Sequence, residues 1–226
     1  MLRCGYGKGN ENRIMSTLVY MKLLEQTPDK YDRWMRILTL GRIDHIKREI
    51  ASVWVEPGHD VLEIGSGTGA LAALMTGRGA HVVGIDVSET MLAAFHKNAP
   101  EAEFFHMTAT EIERLGEGRF DRIIATLSFS ELTYDELDFV LRAIPFLLKT
   151  GGKLVVSDEV PPAVWWKRLL ASVIRRPLAA LTFLLTRNTT NVLKGFEGRL
   201  EQAGLRTIYR KNFLLDTLAL IVAEKQ

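Results

Sequence analysis

The segment VLEIGSGTGALAALMTGRGAHVVGIDVS (Val61–Ser88) carries the clearest indication of how this 226-residue chain folds. It begins with a short apolar run, passes through glycines at positions 65, 67 and 69 into an alanine- and leucine-rich helical pattern, and ends with a second apolar run closed by Asp86. A strand, a glycine turn, a helix and a second strand in this order form a βαβ unit with parallel strands. Glycines let the backbone approach a ligand closely, and the N-terminus of the next helix favours an anionic group. The stretch therefore predicts a nucleotide-binding turn in an α/β fold.

The rest of the chain repeats this alternation of strand and helix. Apolar runs predict strands at residues 60–64, 81–86, 102–107, 120–127, 153–159, 205–213 and 217–225. Helical periodicity predicts helices at residues 14–26, 31–52, 71–78, 89–98, 133–149, 163–185 and 190–203. We therefore expect an α/β, Rossmann-like, mostly parallel seven-stranded sheet with helices on both faces and an antiparallel last strand. Residues 1–226 form a single domain in this interpretation, with an N-terminal helical cap (1–52) and a helical lid (160–189) inserted after the fifth strand.

Composition and cysteine usage are typical of a cytoplasmic globular protein. The chain is 47% hydrophobic and 25% charged, which is ordinary for a globular domain. Its apolar runs are much shorter than the roughly 20 residues that a membrane span needs, and the first residues lack the apolar segment of a secretory signal. Cys4 is the lone cysteine, so neither an internal disulfide nor a cysteine-based metal cluster is expected. The histidines lack metal-ligand spacing, and we predict no metal.

Charge is distributed unevenly along the chain. Residues 51–159 carry 8 Lys/Arg against 17 Asp/Glu, whereas residues 160–212 carry 10 against 2. In the basic segment, Trp165 and Leu169 recur at helical spacing, and Arg168 and Arg175 mark the opposite face. We interpret this segment as a lid whose apolar face covers a bulky or apolar acceptor. An ordinary packed helix and a peripheral contact with a membrane surface are the alternatives; we expect no nucleic-acid partner.

The glycine turn alone allows two kinds of cofactor. Gly65, Gly67 and Ala70, with Asp86 about twenty residues on, satisfy the loose dinucleotide fingerprint. However, Glu63 places a carboxylate two residues before the first glycine, where it can bind an ammonium group rather than a pyrophosphate. The chain also lacks a tyrosine followed four residues later by lysine, a common dehydrogenase pair. A nicotinamide-dependent oxidoreductase is therefore the less favoured alternative.

The motif EIGSGTG resembles the first motif of the class I S-adenosylmethionine-dependent methyltransferases, and the similarity runs from Asp60 onward. The resemblance implies S-adenosyl-L-methionine as cofactor, with its methionine part held by Glu63 and the glycine turn. It also implies that Asp86 binds both ribose hydroxyls and that Val87 packs on the adenine. The full implied cofactor set is Tyr31, Glu63, Gly65, Ser66, Gly67, Gly69, Asp86, Val87, Thr108, Ala109 and Thr126.

Two later segments of the sequence are expected to lie near the adenine of the cofactor and near the acceptor. Where the family usually has an acidic residue after the third strand, this chain has HMTATEI, so Thr108 or Thr110 takes that place. After the fourth strand, ATLSFSEL occupies the position that faces the sulfonium and the incoming acceptor. A general base is needed only if the acceptor must lose a proton. The predicted catalytic set is Ser128, Glu131 and Asp158.

A closer resemblance covers most of the chain. The segments YDRWMRILTLGRIDHIKREIA, FSELTYDE, SDEVPP and RRPLAALTFLLTRNTT resemble the corrinoid protein-associated methyltransferases. The first segment is also similar to the YD…G helix of quinone-biosynthetic methyltransferases, which implies that Tyr31 covers the cofactor near its methionine end. The resemblance implies methyl transfer to a small-molecule or corrinoid-protein-linked acceptor. A non-catalytic partner of a corrinoid protein is the alternative.

Overall fold

The computed structural model describes residues 28–162, 164 and 192–225. The predicted helix at 14–26 and Cys4 lie outside the described residues. Most of the predicted lid (160–189) lies outside them too, namely residue 163 and residues 165–189, which include its arginines. No described helix has the length and apolar character needed to cross a membrane. Within the same residues, no group of three or more His, Cys, Asp or Glu side chains is placed to hold a metal ion.

One seven-stranded sheet organises the molecule, in the order β3-β2-β1-β4-β5-β7-β6. Its strands are β1 (Asp60–Ile64), β2 (His81–Asp86), β3 (Glu103–His106), β4 (Phe120–Thr126), β5 (Leu148–Glu159), β6 (Leu205–Phe213) and β7 (Leu218–Lys225). The first five strands run parallel, and β7 is antiparallel to both β5 and β6. The predicted fold class, including the antiparallel end, is therefore confirmed.

Helices cover both faces of the sheet. They are α1 (Pro28–Leu38), α2 (Arg42–Glu49), α3 (Ala70–Thr76), α4 (Glu89–Asn98), α5 (Tyr134–Leu147) and α6 (Phe196–Gln202), with a π-helical turn at Ile50–Trp54 and 3₁₀ turns at Ala109–Leu115 and Phe129–Glu131. On one face, Ile46, Met75 and Phe95 of α2, α3 and α4 pack on the sheet. On the other, side chains of α5 and α6 such as Ile144 and Leu200 do so. Because strands buried on both sides read as continuous apolar runs, they were predictable from the sequence.

The predicted single helix over residues 31–52 is wrong, because the chain turns between α1 and α2. Leu40 and Gly41 both have positive φ, 50° and 74°, and a right-handed helix cannot continue through that conformation. The Thr39 hydroxyl donates to the Met35 carbonyl (2.7 Å) and accepts from the Ile43 amide (3.3 Å), which holds the turn. Helix α1 is therefore a separate helix with its own axis, and it contacts both α2 and α4.

Candidate cofactor and acceptor site

The glycine turn (Gly65–Gly69) lies at the carboxyl end of β1, where β1 passes into α3. Gly65 has φ +69°, and a Cβ there would lie 2.4 Å from the Cβ of Ser128, so no larger residue fits. Gly67 also has positive φ, yet a Cβ there would meet no atom within 4 Å. The turn is therefore packed on the protein at Gly65 and open at Gly67, which leaves backbone accessible to a ligand.

Asp86 ends β2 beside this turn, and its carboxylate already holds two backbone groups. Its Oδ2 accepts from the Gly67 amide at 2.8 Å and its Oδ1 from the Ser88 amide at 3.0 Å. Burial raises the pKa of Asp86, and these amides oppose the rise. Each oxygen keeps a further lone pair, so the carboxylate can still accept from a diol. Val87, with 52% of its surface exposed, is open beside it to an apolar ring.

Glu63 is the more unusual carboxyl. It is 3% exposed, and its Oε2 is buried without a hydrogen-bond partner. Burial raises its pKa to about 8, while the Lys47 ammonium and the amide of Ala72 oppose that rise. A buried acceptor without a partner costs free energy, and a cationic donor from a ligand would satisfy it. The residues present thus fit the ammonium group of S-adenosylmethionine.

Tyr31 lies on α1, within electrostatic range of carboxylates at these strand ends. Burial raises the pKa of its phenol, and the carboxylates of Glu131, Asp86 and Asp158 raise it further. The phenol therefore stays neutral and lies among groups from β2, β5 and the segment after β4. The region between these groups and the glycine turn is called the ligand crevice below.

Asp158 is buried near the end of β5, and its carboxylate interacts electrostatically with the Tyr31 phenol. Its Oδ2 accepts from the Ser130 amide at 3.0 Å and its Oδ1 from the Glu159 amide at 2.7 Å. Burial raises its pKa to about 6 despite these hydrogen bonds. A carboxyl with a pKa close to neutral suits proton transfer better than an ordinary aspartate.

The other predicted catalytic residues lie near Asp158 on the segment after β4. The Ser128 hydroxyl donates to the Ile64 carbonyl at 2.8 Å, and its methylene fills the space beside Gly65. Glu131 is exposed at the end of a 3₁₀ turn and interacts with the Tyr31 phenol. The contacts of Ser128 are those of a packed side chain, whereas Glu131 remains accessible to solvent.

The remaining predicted cofactor residues divide into two groups. Ser66 is buried with its hydroxyl 3.4 Å from the Ile85 carbonyl, and the Thr126 hydroxyl is buried without a partner at the end of β4. Thr108 and Ala109 begin the 3₁₀ turn after β3. The Thr108 hydroxyl bonds to Thr110 and Glu111 in a capping box. Its hydrogen bonds are therefore already used to cap the start of the 3₁₀ turn.

Sequence reasoning missed a chain of hydrogen bonds around Thr68. The Thr68 hydroxyl donates to Asp32 of α1 at 2.9 Å, and the Thr68 carbonyl accepts from the Asn98 amide group of α4 at 2.9 Å. No local pattern links three residues so far apart. The capping boxes at Thr108 and Thr133, in contrast, follow the visible pattern Thr-x-x-Glu.

Comparison with known sequences identifies related proteins. Residues 61–152 match the model of a methyltransferase domain family. The ubiquinone biosynthesis O-methyltransferase of Ruegeria pomeroyi is 31% identical over 199 residues, which cover 82% of this chain and 78% of that protein. The demethylmenaquinone methyltransferase of Thermotoga maritima is 29% identical over 145 residues, which cover 63% of this chain and 62% of that protein.

For several relatives, the match to this chain covers only part of the relative's own length. An uncharacterized methyltransferase of Synechocystis is 30% identical, over 49% of this chain and 52% of its own length. The matches to other demethylmenaquinone methyltransferases cover 58% to 65% of those proteins. The chain thus spans between about half and two thirds of these curated relatives.

Solved structures agree on the fold. A S-adenosylmethionine-dependent methyltransferase of Methanosarcina mazei has a TM-score of 0.61 at 17% identity, covering 76% of this chain and 94% of its own. A Burkholderia thailandensis 1,6-didemethyltoxoflavin N1-methyltransferase, solved with its substrate and S-adenosylhomocysteine, has a TM-score of 0.65 at 15% identity, covering 99% and 93%. At these identities the likeness shows the architecture alone.

Proposed function

The chain belongs to the class I S-adenosylmethionine-dependent methyltransferases, and we propose that it methylates a small, ring-containing and mainly apolar molecule. The observation that carries the proposal is the crevice itself: an open glycine turn lies between Asp86 and the unpartnered oxygen of Glu63. These groups match a diol and an ammonium group, which S-adenosylmethionine presents together.

The acceptor class rests on the relatives. The Ruegeria relative is named a ubiquinone biosynthesis O-methyltransferase and the Thermotoga relative a demethylmenaquinone methyltransferase. Both names refer to quinones, which contain an apolar ring. The corrinoid-linked acceptor, which the sequence motifs alone support, is the second candidate. The names of these relatives do not refer to a corrinoid protein. We therefore favour the ring-containing acceptor.

The roles of the residues follow from their positions. The cofactor supplies a methyl group already activated by its sulfonium, so this chain has mainly to position the acceptor and exclude water. Tyr31 covers the crevice, Asp86 takes the ribose hydroxyls and Glu63 the ammonium group. If the acceptor is a ring hydroxyl, Asp158 is the group to take its proton, because burial brings the pKa of Asp158 to about 6.

The test is a labelling experiment with methyl-labelled S-adenosylmethionine under anaerobic conditions. Three acceptor samples are compared: a reduced demethylnaphthoquinol with a short side chain, a prenylated ring with a free hydroxyl, and a protein fraction that contains corrinoid proteins. We expect label in a ring compound that extracts into organic solvent. The variant Gly67→Val, which places a branched side chain where backbone meets ligand, serves as the inactive control.

The other outcomes separate the alternatives. Label in the protein fraction would support the corrinoid-linked acceptor. Binding of S-adenosylhomocysteine without transfer to any sample would favour a non-catalytic module.

A further inference from the structure

Thr68 connects three elements through its side chain and its backbone. It lies within the glycine turn and is 3% exposed. Its hydroxyl donates to Asp32 Oδ2 at 2.9 Å, and its carbonyl accepts from Asn98 Nδ2 at 2.9 Å. Helices α1 and α4 are therefore both tied to the loop that meets the cofactor.

Asp32 is the residue next to Tyr31 on α1. Beyond the contacts of α1 with α2 and α4, polar support for this helix includes a surface ion pair at 2.7 Å between exposed Arg36 and half-buried Asp44. A surface pair of this kind contributes little. The part-buried hydrogen bond from Thr68 to the Asp32 carboxylate is stronger in principle, because one partner is charged.

We propose that Asp32 is a positioning residue: its hydrogen bond with Thr68 seats α1 on the glycine turn and so holds Tyr31 over the ligand crevice. The inference rests on the proposed function for its consequence, because a cofactor covered by Tyr31 cannot leave until α1 lifts. Breaking the Asp32–Thr68 bond should thus speed the release of the demethylated product. The turn between α1 and α2, where Leu40 and Gly41 have positive φ, is the place where α1 can pivot.

The test measures the dissociation of labelled S-adenosylhomocysteine after a chase with excess unlabelled compound. We expect Asp32→Ala and Thr68→Val each to raise the dissociation rate by at least about tenfold, the lower end of the scale for one hydrogen bond to a charged group. The double variant should be no faster than either single one, because both remove the same bond. Asp32→Asn and Thr68→Ser keep an acceptor and a donor, and they should restore slow release.

Asp44→Ala is the matched control, because it removes a half-buried surface carboxylate whose ion pair joins α2 to α1 and does not involve the glycine turn. It should leave the dissociation rate unchanged. Unchanged release in Asp32→Ala, or independent and multiplicative effects in the double variant, would overturn the proposal. A merely structural role would lower the melting temperature of the free protein without changing release.

Hydrogen exchange keeps this test separate from the test of function. In the ligand-free protein, Thr68→Val should speed amide exchange in residues 32–38, and Asp44→Ala should do so less. If the wild type binds no S-adenosylhomocysteine, the proposed function fails, while faster exchange in Thr68→Val still supports the seating of α1. Equal exchange in Thr68→Val and wild type would refute that seating.

Discussion

At the residue scale, two carboxyls on neighbouring strands show how local contacts decide chemistry. Asp86 receives two backbone amides, whereas one oxygen of Glu63 receives none. Burial raises the pKa of both, to about 8 for Glu63. The Asp86 carboxylate is therefore suited to accept hydrogen bonds from neutral donors such as hydroxyls. The buried Glu63 carboxyl is better suited to pair with a cationic donor.

The Glu63 carboxyl makes the stability of the ligand-free protein depend on pH. Its pKa in the folded state, about 8, lies above the usual 4.5, so the folded protein binds the extra proton between these values. The free energy of unfolding should therefore fall as pH rises from about 4.5 to 8. Glu63→Gln should make that fall smaller, and exposed Glu101→Gln should not. Urea unfolding of the three proteins at pH 5 and pH 8 measures it; equal falls in wild type and Glu63→Gln would contradict the assignment.

The Asp86 carboxylate should dominate the affinity for the ribose. Asp86→Ala should weaken S-adenosylhomocysteine binding by about 1.5–3 kcal/mol for each hydrogen bond lost to the charged group. Thr108→Ala is the comparison, because its hydroxyl is already engaged with Thr110 and Glu111, and its effect should be much smaller. Calorimetric titration decides between them. Similar affinities for wild type and Asp86→Ala would remove Asp86 from the ribose site.

The contacts of single residues were only partly predictable. Glu63 and Asp86 were predicted because each stands at a strand end in a recognised pattern. The hydrogen bond between Asp32 and Thr68 depends on how α1 packs against the glycine turn. That packing cannot be predicted from the spacing of residues in the sequence. Ser128 was predicted to be catalytic, a role that stays a prediction, and its fit against Gly65 could not be foreseen because it joins two loops.

At the element scale, the glycine turn and the segment after β4 form one packed unit. A Cβ at Gly65 would lie 2.4 Å from the Cβ of Ser128. Strands were predictable here because their apolar runs end at glycines and charges. The boundary between α1 and α2 was not, because Gly41 falls inside a helical periodicity that continues on both sides.

The packing at Gly65 should make a small substitution costly. Gly65→Ala and Gly118→Ala both place a side chain at positive φ, which costs about 1–2 kcal/mol, but Gly118 faces open space. Gly65→Ala should therefore destabilise the protein more, by about 1–3 kcal/mol for the overlap. Urea denaturation of both variants measures the difference. Adding Ser128→Gly to Gly65→Ala should recover part of the loss; equal costs at the two glycines would refute the close packing.

At the scale of the whole molecule, the cofactor should stabilise the fold that binds it. At a concentration one hundred times the dissociation constant, S-adenosylhomocysteine should add about 2.7 kcal/mol to the free energy of unfolding. For a chain of this size the melting temperature should rise by about 5–11 °C. A thermal scan with and without the ligand tests this, with Gly67→Val as the control that should not respond. A wild type that does not respond at millimolar ligand would contradict the cofactor assignment.

The position of β7 has a consequence for synthesis on the ribosome. Strand β7 follows β6 in the chain but lies between β5 and β6 in the sheet, and among the described strands β6 pairs only with β7. While the chain is emerging, the edge of β5 is open and β6 has no neighbour to bond. The sheet can close only when residues 218–225 become available, so this domain should complete its folding late. Until then the open edges of β5 and β6 are able to pair with other chains, which makes the incomplete sheet prone to aggregation.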